Sequence, residues 1–231
     1  MSLVSNLFLL FVAAGVIVYY LVPAKWQWLV LLAFSYIYYI AGGIRYVGFL
    51  LFSTFVTWLT ALAIEKMETA GKHKTARKFV ILGLVLNFGM LGLVKYTNFA
   101  IENLNALFHM NLRGMQILLP LGISFYTFQS SGYILDVYWK RCKAEHHPLK
   151  YALFVSFFPQ ILQGPIGRYS RLAHQLYEPH KFESANITRG LERILWGFFK
   201  KMILADWAAV FADVGVAMIA ICNAISTLRI K

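Results

Sequence analysis

The sequence has little charge for its length. Only 14% of its 231 residues are Asp, Glu, Lys or Arg, whereas 59% are hydrophobic. Soluble domains usually contain about a quarter charged residues. The composition therefore excludes an ordinary soluble domain and indicates an integral membrane protein, with the lipid bilayer as its immediate partner.

The sequence also lacks the patterns of several common sites. Cys142 and Cys222 are too few for a disulfide framework and have no metal-ligand spacing, so no metal is expected. There is no Gly-x-Ser-x-Gly motif and no glycine-rich phosphate loop. These absences exclude the serine hydrolases and nucleotide sites that such motifs mark, and no bound cofactor is expected.

Basic residues outnumber acidic ones, with 22 Lys and Arg against 10 Asp and Glu and a net charge of +12. They cluster between apolar segments and do not form one basic stretch. This distribution is typical of cytoplasmic loops beside anionic headgroups, so no nucleic-acid partner is expected.

Long apolar runs predict an all-α, polytopic membrane protein. The predicted spans are Leu3–Val22, Trp26–Gly43, Tyr46–Ile64, Phe79–Val94, the more polar Ile117–Leu135 and a weak one at Trp207–Leu228. The first run follows no basic residue and has no clear cleavage site, so we interpret it as a retained helix and not as a signal peptide. Lys95–Gln116 is interpreted as a surface segment with one short helix.

The basic residues also predict an orientation. Lys25 and two hydrophilic loops, Glu65–Lys78 and Asp136–Lys150, together hold ten Lys or Arg on one side of the membrane, against three on the other side. Those three are Arg45, Lys95 and Arg113. Because basic loops remain in the cytoplasm, we expect a multi-pass protein of the cell membrane with its amino terminus outside.

Two amide side chains lie inside predicted spans. Asn87, in the middle of the fourth span, requires a partner on a neighbouring helix. Ile117–Leu135 is rich in small and hydroxyl residues, which favours a buried central helix. Within that span, Gln129 either takes part in helix packing or faces a cavity.

An amphipathic, basic helix is predicted near the carboxyl end. Apolar residues recur at helical spacing, and Arg189, Arg193 and Lys200 lie on another side of the same helix. The apolar positions are Ile187, Leu191, Ile194, Leu195, Phe198 and Met202. Such a helix lies in the membrane interface as readily as it packs on a protein partner, and anionic lipid favours the interface.

The stretch Phe157–Arg171 is apolar but contains residues that end helices. The apolar run Tyr151–Leu162 has about a dozen residues, fewer than the roughly 20 that a spanning helix needs. Pro159 and the Gly164-Pro165 pair predict a stop or a turn near Gln163.

This break has two interpretations. Irregular backbone at membrane depth persists only inside protein or beside a wet cavity, so a re-entrant hairpin would line a pocket. The alternative is an interfacial turn that binds nothing. In the first interpretation, the candidate pocket residues are Gln129, Gln163, Gly164, Pro165 and Arg168.

Three stretches carry a resemblance to a known family. They are LPLGISFYTFQSSGYILDVY at Leu119–Tyr138, FFPQILQGPIGRYSRL at Phe157–Leu172 and GFFKKMILADWAAVFAD at Gly197–Asp213. Together they resemble the membrane-bound O-acyltransferase family, in particular its bacterial alginate O-acetyltransferase-like branch. The resemblance extends from the first helix to about Asp213.

The resemblance implies a ring of transmembrane helices around a tunnel. It implies transfer of an acyl group, in this branch acetyl, from a cytoplasmic thioester donor of the acetyl-CoA kind to hydroxyls of an extracytoplasmic polysaccharide such as alginate. It places Gly164, Pro165 and Arg168 near the cytoplasmic side of the tunnel. It also implies an extracytoplasmic partner protein that modifies the polysaccharide.

The chain departs from the family pattern at its carboxyl end. The resemblance places the catalytic histidine on a later membrane segment, expected beyond residue 231, so no catalytic residue is assigned. Gly215–Lys231 does not resemble the family's CDFSGY-like continuation. We therefore expect one membrane domain over residues 1–231 that is incomplete and inactive alone. The alternative is a non-catalytic membrane scaffold, a transport component or an inactive remnant.

The six histidines of the chain all lie in polar or surface segments. They are His73, His109, His146, His147, His174 and His180. Histidine is the usual general base for acyl transfer to a hydroxyl, because its pKa lies near the operating pH. None of the six lies in an apolar run beside a second polar group. Each of these histidines is therefore interpreted as solvated and not as catalytic.

Overall fold

The computed structural model of the protein describes residues 6–108, 120, 122–161, 167–205 and 207–208. The regular elements within these ranges are helices, and no strand occurs among them. The all-α prediction is therefore confirmed for the described part of the chain.

The helices are numbered in chain order. They are α1 (Asn6–Leu21), α2 (Gln27–Ala41), α3 (Val47–Thr69), α4 (His73–Phe108), α5 (Ile123–Tyr138), α6 (Pro148–Ser156), α7 (Phe158–Ile161), α8 (Tyr169–Tyr177) and α9 (Ser184–Phe199). Single turns of 3₁₀ helix, Ala24–Trp26 and Ile44–Tyr46, precede α2 and α3. A π-helical stretch, Lys200–Ala205, follows α9.

Two helical stretches are long and apolar enough to cross a bilayer. They are Ile44–Thr69 and His73–Phe108, and α1 is a shorter apolar helix. About 20 helical residues cover the hydrocarbon layer, because a helix rises 1.5 Å per residue. These helices support a membrane protein, whereas the full set of predicted spans and their orientation stay predictions.

The chain divides into two compact units, residues 1–180 and 181–231. The first unit contains α1–α8 and the main hydrophobic core. The second contains α9, which has no buried residue and in which the Trp196 and Phe199 rings stack with their planes 6° apart. The prediction of a single membrane domain is not tested by this division and stays a prediction.

The helices α3, α4 and α5 pack together at the centre of the first unit. Leu50, Ile64 and Ile134 are fully buried there. At Gly83 of α4, an added Cβ would lie 2.7 Å from Thr60 and 2.9 Å from Ile134. Glycine therefore allows these three helices to approach closely, as small residues commonly do between membrane helices.

The helix α4 is longer than the sequence predicts. The fourth span was expected to end at Val94, but α4 continues to Phe108. Polar side chains in the added part bond to their own helix, since the Asn103 amide donates to the Phe99 carbonyl at 2.7 Å. Such bonds satisfy polar groups without unwinding a helix. The predicted surface position of Lys95–Gln116 is confirmed up to Phe108, where no residue is buried, but the predicted separate short helix is wrong, because this part continues α4. Residues 109–116 lie outside the described residues.

The hydrophilic segment Glu65–Lys78 is mostly helical and is not an open loop. The helix α3 continues to Thr69 and α4 begins at His73, so residues 70–72 alone connect them. Gly71 has a φ of 71°. Glycine suits this tight connection, because other residues adopt left-handed backbone only with strain.

Candidate functional site

The predicted pocket residues are only partly described by the structure. Gln129 is buried in α5, where its amide donates to the Phe154 carbonyl of α6 at 3.1 Å. Arg168 is exposed and immediately precedes α8. Gln163, Gly164 and Pro165 lie outside the described residues. Gln129 therefore links two helices, and within the described part of the chain it forms no hydrogen bond with Arg168.

The apolar run before the predicted hairpin is interrupted at Phe157, which separates α6 from α7. The hydroxyl oxygen of Ser35 in α2 accepts a hydrogen bond from the Phe158 backbone N–H at 3.2 Å. This bond satisfies one of the free N–H groups at the start of α7. The predicted turn near Gln163 lies outside the described residues, so the re-entrant hairpin stays a prediction.

Gly122, which precedes α5, lies against the end of α7. Its φ is 70°, in the left-handed region. An added Cβ would collide with the Ile161 carbonyl oxygen. Glycine is therefore required here for two reasons, the backbone conformation and the close approach of another chain segment.

A buried cluster of neutral polar groups joins α3 to α4. Asn87 Oδ1 accepts a hydrogen bond from the Ser53 hydroxyl at 2.6 Å. The Asn87 amide nitrogen donates to Thr57 Oγ1 at 3.0 Å and to the Gly83 carbonyl at 2.9 Å. The predicted need of Asn87 for a partner on a neighbouring helix is confirmed. We call Ser53, Thr57 and Asn87 the neutral cluster.

The neutral cluster continues to α5 and α6 through Tyr151. The Tyr151 hydroxyl donates to Ser130 Oγ at 3.4 Å and also interacts with Thr57. Other hydroxyls of α5 and α6 are buried and have no hydrogen-bond partner among the described residues, namely those of Thr127, Ser131 and Ser156. Because buried hydroxyls normally have partners, these three are the first groups to test for contact with a bound polar molecule.

A second polar cluster lies where the carboxyl end of α3 meets the segment after α5. We call it the charged end, and it comprises Glu65, Glu68, His73, Lys140 and Glu145. The Glu68 carboxylate lies 2.8 Å from His73 Nδ1 and 3.3 Å from Lys140 Nζ. The hydrogen bond from His73, helped by Lys140, holds the pKa of Glu68 below its ordinary value. The two predicted basic loops are therefore in direct contact.

Side chains from three helices meet at Glu145 of the charged end. Its carbonyl accepts the Trp58 ring N–H of α3 at 2.8 Å, and its backbone N–H donates to the Tyr133 hydroxyl of α5 at 2.8 Å. Its carboxylate accepts the Tyr169 hydroxyl of α8 at 2.7 Å and the His147 backbone N–H at 2.9 Å. Glu145 therefore fixes α8 to the segment after α5.

The Tyr169 hydroxyl remains a hydrogen-bond donor at neutral pH. Burial raises the pKa of Tyr169 well above its ordinary value, and the neighbouring Tyr177 and Glu145 act in the same direction. A neutral phenol donates to the Glu145 carboxylate, whereas a phenolate would repel it. Because Tyr169 follows Arg168 in the chain, this bond also fixes the backbone beside Arg168.

A pocket of about 570 Å³ opens at the charged end. Its walls carry both signs of charge, with Glu65, Glu68, Lys140, Arg141 and Lys143. Cys142 also lines it, and burial, together with the Asp136 and Glu65 carboxylates, raises the pKa of its thiol to about 11. The thiol is therefore protonated at neutral pH and is a weak nucleophile. Within the described ranges, no group of three or more His, Cys, Asp or Glu could hold a metal ion.

The five histidines within the described residues are all exposed. His174 lies 3.0 Å from the Glu178 carboxylate, and His180 Nδ1 lies 3.1 Å from the Tyr19 hydroxyl. None of the five is buried in the apolar part of the bundle. His109 lies outside the described residues, so none of these observations assigns a general base.

Sequence reasoning missed Glu145 and α8. In α8, Tyr169, Ala173 and Leu176 are buried at intervals of four and three residues. That helical spacing was the signal that could have predicted α8. Glu145 gave no comparable signal, since it is a single carboxylate among basic residues and its partners come from distant parts of the chain.

The chain is similar over most of its length to bacterial O-acetyltransferases. It is 37% identical over 218 residues to a Pseudomonas aeruginosa protein named probable alginate O-acetylase AlgI, and this match covers 90% of the chain and 41% of the relative. It is 33% identical over 214 residues to the peptidoglycan O-acetyltransferase of Helicobacter pylori, covering 81% and 40%. A teichoic acid D-alanyltransferase of Lacticaseibacillus rhamnosus is 27% identical over 149 residues, covering 63% and 34%.

These relatives confirm the predicted resemblance to the membrane-bound O-acyltransferase family. The chain spans about 40% of the length of the O-acetyltransferases that it matches. No protein-family model matches the chain, and no solved structure is significantly similar to it.

Proposed function

We propose that this chain is part of a membrane-bound O-acyltransferase that transfers acetyl groups to hydroxyls of an extracytoplasmic polysaccharide. The observation that carries the proposal is the similarity to named O-acetyltransferases over more than four fifths of the chain. The name of the Pseudomonas relative suggests alginate as the acceptor, whereas that of the Helicobacter relative suggests peptidoglycan. The residues of this chain do not decide between the two acceptors, so alginate is used as the acceptor in the test below.

The proposed donor is a cytoplasmic acyl thioester of the acetyl-CoA kind. Such a donor carries phosphates, and the planar guanidinium of Arg168 is suited to bind them. Support comes from the exposure of Arg168 and from the Tyr169–Glu145 hydrogen bond, which fixes the adjacent backbone. In this proposal Arg168, with Gln163, Gly164 and Pro165, forms the donor side of the tunnel.

Acyl transfer also needs a general base to remove the proton of the acceptor hydroxyl. The exposed histidines of the described residues are poorly placed for this role. We assign the base to a histidine in the part of the relatives that lies outside the match. This chain then contributes donor binding and the helical wall of the tunnel, and it does not contribute the base.

The charged end is proposed to face the cytoplasm, which places the amino terminus outside a cell membrane that the chain crosses several times. The contact between the two basic segments, through Glu68 and Lys140, supports a common side for both. Cysteines introduced at Lys72 and Lys143 should be protected from an impermeant thiol reagent added to intact cells. Labelling of either cysteine from outside would refute this orientation.

The helix α9 is proposed to lie in the membrane interface. All its residues are at least partly exposed, and its apolar side includes Leu191 and Ile194, whereas Arg189 and Arg193 lie on another side. This arrangement suits a helix between acyl chains and anionic headgroups. The proposal also includes an extracytoplasmic, polysaccharide-modifying partner protein, because the family resemblance implies one.

A non-catalytic scaffold is the second candidate. It is favoured by one observation, namely that Gln129 and Asn87 use their amides to join helices. Gln129, a predicted pocket residue, then serves helix packing, which is the role expected in a bundle that binds no substrate.

The test is a chimera in which this chain replaces the matching part of the Pseudomonas AlgI relative. The chimera is expressed in a strain that lacks the relative, and the acetyl content of the secreted alginate is measured. We expect acetylation well above the empty-vector control. Acetylation at the vector level, with the chimera present in the membrane in normal amount, would favour the scaffold.

Two variants of the chimera test the donor side. Arg168→Lys should weaken binding of the thioester donor, because an ammonium cannot form the same paired hydrogen bonds. Gly164→Ala combined with Pro165→Leu should straighten the predicted turn and abolish acetylation. Normal donor affinity in the first variant would leave Arg168 as a headgroup anchor, and normal acetylation in the second would count against the hairpin.

A further inference from the structure

An apolar groove of about 560 Å³ runs between α3 and α4 on the surface of the first unit. Phe49 and Phe52 of α3 and Leu86 and Leu93 of α4 line it. Phe52 and Leu93 are 47% and 70% exposed. The volume lies within the range of about 300–1,000 Å³ that is usual for small-molecule sites. The groove thus presents a shaped apolar surface and not a flat helix face.

Two glycines leave the groove open. Gly48 of α3 and Gly89 of α4 both line it, and a Cβ added to either would have no atom within 4 Å. A side chain at either position would therefore start in open space and extend into the groove. Gly92, also on α4, has equally open surroundings but does not line the groove, so it offers a matched control.

A cation lies at one end of this apolar surface. Arg45, in the turn before α3, lines the groove and is exposed. Among the residues that the structure describes, no carboxylate pairs with Arg45. Lys95 follows the groove residue Val94, and its ammonium lies 5.5 Å from the centre of the Tyr96 ring. An apolar groove that ends in unpaired positive charge is complementary to a molecule with an acyl chain and an anionic head.

Few other basic residues are predicted on the side of the membrane where these two cations lie. Arg45 and Lys95 are two of the three basic residues predicted on their side of the membrane. Positive charge is scarce on that side, and the groove has one cation in its wall and another next to it in sequence. The arrangement is therefore not a consequence of a generally basic surface.

We propose that this groove binds a glycerophospholipid with an anionic headgroup. One acyl chain lies along Phe49, Leu86 and Leu93, and the phosphate contacts Arg45. Van der Waals packing of the acyl chain along the groove and attraction between the headgroup and Arg45 both favour the bound state. The groove shares no residue with the donor side proposed above, and its occupancy does not depend on catalysis.

The test uses the purified 231-residue chain in detergent. It is titrated with phosphatidylglycerol or with phosphatidylcholine, and native mass spectrometry measures the amount of bound lipid. The parent should bind phosphatidylglycerol about fivefold more tightly, because one basic side chain near a membrane surface contributes about that factor. Arg45→Ala should remove this preference. Gly89→Leu should weaken binding of both lipids, and Gly92→Leu should leave both unchanged.

Three outcomes would overturn the proposal. The first is equal phosphatidylglycerol binding by the Gly89→Leu and Gly92→Leu variants, and the second is an unchanged headgroup preference in Arg45→Ala. The third is unchanged lipid binding together with an altered oligomeric mass in Gly89→Leu, which would assign the groove to a second copy of the chain. If Gly89→Leu does not fold, Gly48→Leu makes the same test from α3.

Discussion

The interior and the charged end of the first unit are held together by different chemistry. In the interior, the neutral cluster of Ser53, Thr57 and Asn87 joins buried helices through hydroxyl and amide groups. At the charged end, Glu68 pairs with cations that water can reach, since the Lys140 and His73 side chains are 67% and 64% exposed, whereas the Glu68 side chain itself is 9% exposed.

The difference follows from the cost of moving polar groups out of water. A neutral amide with all its partners can be buried in an apolar bundle, whereas an isolated charge there is strongly unfavourable. Ion pairs near water gain little, because solvent and salt screen them. We therefore expect substitutions in the interior to change the stability of the bundle more than substitutions at the charged end.

The largest effect is expected from Gly122→Ala. The alanine would force a left-handed backbone on a residue with a Cβ and push that Cβ into the Ile161 carbonyl. We expect a loss of about 3 kcal/mol or more in the free energy of unfolding, from backbone strain and overpacking together. Denaturant unfolding in detergent measures this loss.

Gly132→Ala in α5 is the matched control. An added Cβ there has no atom within 4 Å, so the change should be neutral or stabilising by about 0.5–1 kcal/mol. Equal effects at Gly122 and Gly132 would remove the evidence for close packing at the start of α5.

Asn87→Leu should have the next largest effect. It leaves the buried hydroxyls of Ser53 and Thr57 without their amide partner. An unsatisfied buried polar group costs about 1–3 kcal/mol, and we expect about 2 kcal/mol in the same unfolding measurement.

The double variant Ser53→Ala, Asn87→Leu tests the cause of that loss. It removes both partners of one hydrogen bond, so part of the lost stability should return. Strictly additive losses in the double variant would show that the Ser53–Asn87 bond does not couple α3 to α4.

Glu145→Ala should have a smaller effect. Glu145 lies where the interior meets the charged end. It removes the acceptor of the buried Tyr169 hydroxyl and releases the start of α8. We expect a loss of about 1–2 kcal/mol, measured by unfolding and by faster hydrogen exchange in α8. Glu145→Gln retains an acceptor oxygen and should lose less, so equal losses in both variants would argue against this bond.

The smallest effect is expected from acid pH, which should weaken the ion pairs of Glu68. The pKa of Glu68 is lowered from 4.5 in the folded protein, chiefly by the hydrogen bond to His73. Its contribution to stability is therefore present above pH 4.5 and is lost as the pH falls through the folded pKa. Distances between spin labels at Lys72 and Lys143 should broaden as the pH is lowered from neutral to below that value. In the Glu68→Gln variant, the width of the distance distribution should no longer change with pH in this range. The same pH response in that variant and in the parent would exclude Glu68 as the cause.

The fold could be predicted where hydrophobic runs determine it. The first three apolar runs correspond to α1, α2 and α3 within a few residues. The extension of α4 to Phe108 could not be predicted from polarity, because residues such as Asn103 satisfy their side chains on their own helix. The four-residue helix α7 depends on a bond from its backbone to Ser35, which is more than a hundred positions away in sequence.

The site was predicted less completely than the fold. The amide of Asn87 inside an apolar run predicted a partner on another helix, because the bilayer offers none. Glu145 could not be predicted, since its role depends on Trp58, Tyr133 and Tyr169 meeting in three dimensions. Gln163, Gly164 and Pro165 lie outside the described residues, so their proposed place on the donor side stays a prediction.

The most direct test of the proposed function is the rate of acetyl transfer from a labelled acetyl thioester to alginate. Detergent-solubilised membranes that contain the chimera, this chain alone, the full-length Pseudomonas relative or no added protein are compared. We expect transfer by the chimera and no transfer above background by this chain alone, because loss of a general base lowers rates by about 10²–10⁴. Transfer by this chain alone within about tenfold of the relative would refute the assignment of the base to the missing part, since that loss could not then have occurred.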